Sequence, residues 1–351
     1  MPATELGFLQ DCEPGKLQSR IFPSKVGGKP SWLSLNPLPT FEDLKCKTCQ
    51  QALVFLLQIY APYEDCEVGS AIWEVNFHRT VFVFICRSPD CNKRNLCDNI
   101  VVFRSSLSRE NDFYSFVPPT IDYDPEFDAL YRQLCCLCEA CGIPAEKQCS
   151  KCRKVLYCSK EHQVIDWKSR HKTSCLKEGP ESEKAVSKIL FPEFELITAT
   201  EVIERSDIDE QKELEKFEEL KAKGETGTME DVSESELSSH ATSEKDKAFL
   251  KFKKQVSHYP DQVIRYSKGG QPLFIANGPI PAAIPNCELC DNPRQFEFQI
   301  MPQLLSELKE NDLDFGVLLV YTCKYSCVGS HINSYKKEFV FKQDVSLENS
   351  V

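Results

Sequence analysis

Short apolar segments, rich in β-branched and aromatic residues, recur near both ends of the chain. They are bounded by turn residues, and this pattern predicts β-strands. The clearest segments span residues 55–59, 82–85 and 100–104 near the start, and 296–300, 319–322 and 338–342 near the end. Both ends of the chain are therefore predicted to be built mainly from β-strands.

The segments at the two ends follow the same order. Each series begins with Gly-Gly-x-Pro, at residues 27–30 and 269–272, and reaches a Cys-x2-Cys pair that starts at Cys46 or Cys287. The sequence Phe-x-(Leu/Phe)-Gln-Ile then begins six residues after each pair, and two further apolar segments follow. Matching features in one order, at matching spacings, indicate an internal duplication.

The two Gly-Gly-x-Pro stretches are predicted to be tight turns. Paired glycines permit positive φ, and the proline fixes an extended exit from the turn. We expect this exit to deliver Trp32 or Phe274 to a core. A phosphate-binding nest is the alternative, but no helix start or lysine follows at the spacing of nucleotide-binding loops.

The middle of the chain has a different pattern. Residues 200–223 are rich in Glu, Lys and Leu and predict an exposed helix. Residues 224–243 have few apolar groups and are expected to be disordered. A helix is predicted to follow them, because Phe249, Phe252 and Val256 fall at i, i+3 and i+7 and share one face.

The length of the chain leaves room for two or three domains. The chain has 351 residues, of which 41% are hydrophobic, and no apolar run approaches the roughly 20 residues that span a bilayer. The first residues lack a basic region followed by a long apolar stretch, so we expect no secretory signal. Most of the 19 cysteines are then expected to be metal ligands in a reducing compartment, and not disulfides.

The net charge of −11 comes from one part of the chain. Residues 178–247 hold 21 acidic and 9 basic side chains, whereas the rest of the chain is nearly balanced. This acidic stretch is either a solvated linker or a docking strip for a basic partner. Direct nucleic-acid binding is not expected, because no basic stripe with interleaved aromatic residues occurs.

The strongest chemical signal is a set of Cys and His pairs within residues 138–175. Each pair has the spacing that lets two side chains hold one zinc ion. The eight residues are Cys138, Cys141, Cys149, Cys152, Cys158, His162, His171 and Cys175. Eight ligands imply two zinc ions with no coordination position left for water or substrate, which is typical of structural zinc. The spacing alone leaves open which pairs share an ion, and Cys135 with Cys138 is a competing pair.

This segment resembles a MYND-type zinc finger, most clearly in "LYCSKEHQVIDWKSRHKTSC" at residues 156–175. His162 is a departure, since many members of that family carry Cys there. The resemblance favours the pair Cys138 and Cys141 over Cys135 and Cys138. It also implies that the pairs interleave, so that one ion is held by Cys138, Cys141, Cys158 and His162, and the other by Cys149, Cys152, His171 and Cys175.

The MYND resemblance further implies a protein-binding surface that takes proline-containing peptides. Gln163 and Trp167 are the candidate partner-binding residues on it. A purely structural role for Trp167 is the alternative.

Each end of the chain offers one further group of four cysteines. The Cys-x2-Cys pair of each repeat is followed by a second, wider pair at the end of a predicted strand, as in zinc ribbons. The predicted sets are Cys46, Cys49, Cys86 and Cys91, and Cys287, Cys290, Cys323 and Cys327. His78, Cys97 or His331 could replace a fourth ligand, and buried apolar thiols are the alternative to a metal site. With the finger, these sets predict four zinc ions.

The predicted fold class is α+β, mainly β. It consists of duplicated zinc-ribbon-like β units at the two ends, an inserted MYND zinc finger and a partly disordered acidic helical linker. The predicted divisions are a first β unit at 1–117, a linker at 118–134, the finger at 135–176, the acidic linker at 177–248 and a second β unit at 249–351. Within the acidic linker, residues 191–197 could form a short strand.

The whole chain resembles the programmed cell death protein 2 family. The resemblance rests on "SKVGGKPSWL", "FLLQIYAP", "FHRTVFVFICRSPDC", "HYPDQVIRY" and "FEFQIMPQLL" together with the finger. It implies a protein of cytoplasm and nucleus that acts in ribosome biogenesis and growth control, as a chaperone for a basic small-subunit ribosomal protein.

Three functional hypotheses follow. The first is a non-enzymatic chaperone or adaptor whose β units present a cleft or strand edge to a basic ribosomal protein. The second is a transcription adaptor whose finger recruits corepressors, linked to proliferation or apoptosis. The third is a lysine methyltransferase, since MYND fingers occur in such enzymes; no segment resembles their catalytic domain, so we expect no enzyme and no membrane partner.

Overall fold

The computed structural model describes residues 2–13, 15–63, 70–176, 189–202, 244–310, 312–329 and 333–345. The strands are β1 (Glu5–Gln10), β2 (Lys25–Val26), β3 (Val54–Tyr60), β4 (His78–Ile85), β5 (Ile100–Leu107), β6 (Lys147–Gln148), β7 (Leu156–Tyr157), β8 (Phe194–Thr200), β9 (Ile264–Tyr266), β10 (Arg294–Ile300), β11 (Val317–Cys323) and β12 (Lys336–Gln343). The helices are α1 (Ala71–Val75), α2 (Pro125–Leu134), α3 (Lys160–Asp166), α4 (Lys172–Ser174), α5 (Glu244–Ser257) and α6 (Gln303–Leu308). The part of the chain so described is mostly β, as predicted.

Strands from both ends of the chain form one closed antiparallel barrel. The strand order is β1-β8-β2-β3-β4-β5-β12-β11-β10-β9, and β9 pairs with β1 to close it. The two β units predicted at 1–117 and 249–351 therefore share one barrel. The physical reason is that a four-stranded meander has two open edges, and pairing with its duplicate and with β1 and β8 covers them.

The two segments predicted to be copies share one irregularity in their strands. The ladder between β3 and β4 shifts register between Phe55 and Leu57, and the ladder between β10 and β11 shifts between Phe296 and Phe298. These are the same positions of the repeated Phe-x-(Leu/Phe)-Gln-Ile sequence. A β-bulge that recurs at one position of both copies is a designed feature of the repeat.

The repeated glutamine holds the repeated turn. The Gln58 side chain accepts from the Ser31 N–H at 2.9 Å and donates to the Ser31 carbonyl at 3.2 Å. Gln299 makes the same two bonds to Leu273, at 2.7 and 3.1 Å. Ser31 and Leu273 occupy the same position, directly after each Gly-Gly-x-Pro stretch. At both ends of the chain, the glutamine of the Phe-x-(Leu/Phe)-Gln-Ile sequence therefore binds the backbone that follows the turn.

The first Gly-Gly-x-Pro turn and the residues directly after it also contact the finger. Trp32 is fully buried between Phe82 and Phe84, with ring centroids 5.5 and 5.6 Å apart, so its delivery to a core is confirmed. Its Nε1–H donates to the Gly142 carbonyl of the finger at 2.9 Å. Gly142 has φ +76°, and a Cβ there would lie 2.7 Å from the Cβ of Lys29. The finger is thus packed on the barrel.

The acidic stretch contributes directly to the barrel. The strand suggested at residues 191–197 is present as β8, which lies between β1 and β2. The helix expected from residue 200 does not begin by residue 202, and residues 203–243 lie outside the described ranges. The following helix is present as α5, where Phe252 and Val256 are buried.

A buried ion pair crosses the barrel interior. The Arg79 guanidinium on β4 contacts the Glu297 carboxylate on β10 through two bonds of 2.5 and 2.7 Å, and neither side chain has exposed surface. Burial alone would raise the pKa of Glu297, but the Arg79 charge outweighs it and holds the pKa at about 2. Because β4 and β10 are not neighbours, this pair joins the two repeats through the interior.

A second buried cluster joins the repeats at the β5–β12 pair. Arg104 donates to Glu338 at 2.7 Å, and Arg294 donates to the other oxygen of Glu338 at 3.0 Å. Buried charges of this kind are stable only when each is paired.

Among the described residues, no helix is long and apolar enough to cross a membrane.

Candidate metal centres

The described chain gathers Cys and His side chains into four groups of four. Within each group the candidate ligand atoms all lie within 4.8 Å of one another. The groups are Cys138, Cys141, Cys158 and His162; Cys149, Cys152, His171 and Cys175; Cys46, Cys49, Cys86 and Cys91; and Cys287, Cys290, Cys323 and Cys327. These are the four sets predicted from the sequence, with the interleaved pairing in the finger.

The distances within the groups suit tetrahedral zinc. Zinc–sulfur bonds of about 2.3 Å place tetrahedral sulfur ligands about 3.8 Å apart. The observed Sγ–Sγ distances are 3.7 Å for Cys49 and Cys86, 3.7 Å for Cys141 and Cys158, 3.8 Å for Cys149 and Cys175, and 3.6 Å for Cys290 and Cys323. All described cysteines are free thiols, so the sulfurs are available to a metal.

One backbone turn forms the first half of every group. The carbonyl of the first cysteine accepts a hydrogen bond from the residue four positions later, which has positive φ. Those residues are Gln50, Gly142, Arg153 and Asp291, with N–O distances of 2.8 to 2.9 Å. In the turn that begins at Cys46, the N–H groups donate to the sulfur of the first cysteine. Burial raises the pKa of Cys46, but hydrogen bonds from the N–H groups of Cys49 and Thr48 outweigh burial and lower the pKa. At Cys46 the thiolate, which is the form that binds metal, is thereby favoured.

Each barrel site is also supported by the opposite repeat. Arg104 of the first copy donates to the Cys327 carbonyl at 2.9 Å. Lys342, at the same position of the second copy, donates to Asn92 Oδ1 at 2.8 Å and to the Lys93 carbonyl at 3.2 Å, directly after Cys91. Sequence reasoning missed this reciprocal contact, although both residues end the last repeated segment, 100–104 or 338–342.

Helix α3 positions the histidine of the first finger group. Ser159 precedes the helix, and its Oγ accepts the His162 N–H at 3.1 Å, which is an N-cap. The His162 Nδ1 atom then lies 3.1 Å from the Cys158 sulfur. In the second group His171 Nε2 lies 3.4 Å from the Cys152 sulfur. These neighbouring nitrogen and sulfur atoms fit two mixed Cys/His zinc sites.

The competing ligands lie elsewhere. His78 stacks on Phe22 at 4.0 Å and its Nδ1 contacts the Tyr60 hydroxyl at 3.0 Å, while burial lowers the pKa of His78 to about 4. Burial raises the pKa of Cys97 to about 11, and Cys97 belongs to none of the four groups. Cys135 faces the Leu35 carbonyl at 3.6 Å.

Two further described cysteines do not join the groups either. Cys136 is exposed and Cys12 donates to the Glu13 carbonyl. Cys66 and His331 lie outside the described residues.

Of the partner-binding candidates of the finger, Gln163 lies on α3 and Trp167 directly follows it. Gln163 and Trp167 are both half-buried. The Trp167 ring lies 5.7 Å from the His171 ring and 5.1 Å from the Lys151 ammonium, so it also packs on the second ligand group. Val164 and Ile165 beside them are 40% and 37% exposed. This part of the finger offers apolar surface to solvent.

The four groups suit structural metal chemistry. Each provides four protein ligands, which completes a tetrahedral zinc shell and leaves no ligand position for water or substrate. Zinc held this way stabilises the folded state. Removing the zinc would take away the metal–ligand bonds that join distant parts of the chain within each group.

Comparison with known families gives three matches along the chain. The family model "Programmed cell death protein 2, N-terminal domain" matches residues 3–121, and the C-terminal domain model of the same family matches residues 246–344. The model "MYND finger" matches residues 138–175. Together these matches cover both repeats and the finger between them.

Whole-length relatives show the same similarity. The chain is 41% identical to the bovine "Programmed cell death protein 2" over 97% of this chain and 96% of the relative, and equally so to the mouse protein. A relative from Schizosaccharomyces pombe, "Probable 20S rRNA accumulation protein 4", is 34% identical over 23% of this chain and 24% of its own. No solved structure matches.

Proposed function

The chain belongs to the programmed cell death protein 2 family, and from this membership we propose that it is a non-enzymatic chaperone or adaptor for a basic small-subunit ribosomal protein. The observation that carries the proposal is the relative whose name records 20S rRNA accumulation, which supports a role in ribosome biogenesis. We place the protein in cytoplasm and nucleus, where such a client is made and assembled.

Charge supports a basic client. The net charge is −11, and the excess of acidic over basic residues lies in one stretch. Complementary charge speeds encounter with a basic protein and disfavours nucleic acid. The barrel is closed among the described strands, so a cleft or surface groove is favoured over the strand edge considered from sequence.

The metal groups support a scaffold role. We propose that four zinc ions hold the finger and the two repeats, and that none takes part in catalysis. Four complete protein shells stabilise a rigid binding platform without an open coordination position.

Co-purification with quantitative mass spectrometry tests the proposal. The tagged full chain is isolated from cells at low and at high salt. We expect a near-stoichiometric small-subunit ribosomal protein at low salt that is depleted at high salt, because screening weakens charge attraction. Absence of any ribosomal protein at low salt would contradict the proposal.

A corepressor adaptor is the second candidate function, favoured by the exposed Val164 and Ile165 beside Trp167. Ile165→Glu changes this surface without touching a ligand residue. Loss of nuclear partners with retention of the ribosomal protein would assign the finger to a separate adaptor role. Loss of the ribosomal protein in this variant, with zinc content unchanged, would assign client binding to the finger.

A further inference from the structure

We propose that a groove beside α2 binds an extended segment of a basic protein through an arginine or lysine side chain. The groove is formed by Arg20, Phe22 and residues 114–127 except Phe116 and Ile121, and it has a volume of about 430 Å³; we call it the α2 groove. The inference rests on the proposed function for the identity of the client, and it adds the surface and the chemistry that recognise it.

Exposed apolar side chains line the α2 groove and lie beside it. Val117 and Tyr123 line it and are 68% and 73% exposed, and Phe116 and Ile121 beside it are 59% and 47% exposed. Scattered exposed apolar residues need no explanation, but a contiguous group marks an interaction site. This segment therefore presents binding surface to solvent.

One wall of the groove is aromatic and fixed to the barrel. The Tyr114 ring meets Phe22 edge-on at 4.8 Å and stacks on Phe127 at 5.7 Å. Its hydroxyl donates to the carbonyls of Trp32 at 3.1 Å and Leu33 at 2.7 Å. Burial raises the pKa of Tyr114 far above its usual range, so the hydroxyl keeps its proton and these bonds.

Another part of the groove is held by a buried arginine. Arg20 donates to the Thr120 carbonyl at 2.5 Å and also to the carbonyls of Ile121 and Asp122. This clamp fixes a segment that belongs to no strand or helix. A groove fixed before binding loses less conformational entropy when a partner arrives.

The rim of the groove is acidic. Asp122, Asp124 and Glu126 are exposed, and in the described part of the chain none of them forms an ion pair. Of the nearby cations, Arg132 is paired with Asp128 at 2.8 Å, whereas Arg20 donates to neutral backbone carbonyls and keeps its charge. Three carboxylates against the one guanidinium of Arg20 leave the rim with net negative charge next to aromatic rings.

The aromatic rings and the carboxylates together favour a cationic side chain as the occupant of the groove. A guanidinium or ammonium group can lie over the Tyr123 or Phe127 ring while the carboxylates of Asp122 and Glu126 bind its N–H groups. The volume suits one or two side chains of an extended segment, and it is too small for a folded domain. Nucleic acid would be repelled by the same carboxylates.

Fluorescence anisotropy on the zinc-loaded full chain tests the chemistry. The probe is a labelled dodecapeptide of alternating arginine and alanine, and its control carries citrulline at each arginine, which removes the charge and keeps the shape. We expect the arginine peptide to bind and the citrulline peptide to bind at least tenfold more weakly.

Two groove variants then locate the binding. We expect the double variant Asp122→Asn/Glu126→Gln to weaken the arginine peptide about tenfold and Tyr123→Ala to weaken it about threefold, in line with exposed ion pairs and cation–π contacts. The matched controls Glu307→Gln and Tyr325→Ala, which are exposed elsewhere, should leave the affinity unchanged. Unchanged affinity in both groove variants, or equal binding of the citrulline peptide, overturns the proposal.

Co-purification of the same variants separates the two proposals. Loss of the ribosomal protein from the groove variants, with retention by the controls and equal zinc content, supports both. Retention by the groove variants overturns the groove as the client site while the chaperone function stands. If the wild-type chain captures no ribosomal protein, the chaperone function fails and the peptide measurements alone decide the groove.

Discussion

Individual charged residues inside the barrel have roles that local sequence pattern hides. Glu297 lies in the apolar stretch "QFEFQI", where it resembles an outward-facing residue of an alternating strand. It is instead fully buried against Arg79, which lies more than two hundred positions earlier in the chain. The sequence shows each charge but not its partner, because the pairing depends on which strands face each other across the barrel.

The Arg79–Glu297 pair gives a prediction about stability. Glu297→Gln leaves the buried guanidinium without a counter-charge, so we expect the free energy of unfolding to fall by about 3–5 kcal/mol. Urea denaturation followed by tryptophan fluorescence measures this. The double variant Arg79→Met/Glu297→Leu removes both charges and should be more stable than Glu297→Gln; equal loss in both variants would show that the charge itself is not the cause.

At the scale of elements, the repeated turn and the repeated strand act as one unit. The sequence predicted the strands, the turns and the cysteine pairs, because each is encoded over a few neighbouring residues. It did not predict that Gln58 and Gln299 bind the turns, although both glutamines and both turns were recognised as repeated. Contacts between elements depend on the closed sheet, and a single sequence does not encode that closure locally.

The glutamine clamp gives a second prediction. Gln299→Ala removes a buried side chain that satisfies the Leu273 N–H and carbonyl, and we expect a loss of about 1–3 kcal/mol. Thermal unfolding with the exposed Gln271→Ala as the matched control checks it. A loss of the same size in Gln271→Ala would contradict a role for the clamp.

At the scale of the whole molecule, barrel and finger form one continuous core. Buried residues of the finger, such as Ile143 and Tyr157, pack in the same cluster as barrel residues such as Phe82 and Phe103. The finger was predicted from its ligand spacing, but its attachment to Trp32 could not be, since nothing in the spacing points to a docking surface. The finger therefore belongs structurally to the barrel.

The metal content gives a third prediction. Native mass spectrometry of the full chain should show four zinc ions, and Cys287→Ser/Cys290→Ser should show three. A count of two for the wild-type chain would contradict zinc in the barrel groups.

The same variant tests coupling between the repeats. Because Arg104 bonds to the Cys327 carbonyl, we expect faster amide hydrogen exchange in β5 as well as in β11 when the second-copy site is lost. The outer strands of the finger, β6 and β7, provide the internal control. Faster exchange confined to the second copy would show that the two sites are independent.

The pairing of β1 with both β8 and β9 has a consequence for how a newly made chain acquires its shape. Leu6 pairs with Ala199 on β8 and with Arg265 on β9, and β5 pairs with β12 beyond residue 335. During translation the first strand leaves the ribosome long before its partners exist. The barrel can therefore close only after almost the entire chain has been synthesised, and a premature stop before β9 leaves open strand edges in place of a smaller barrel.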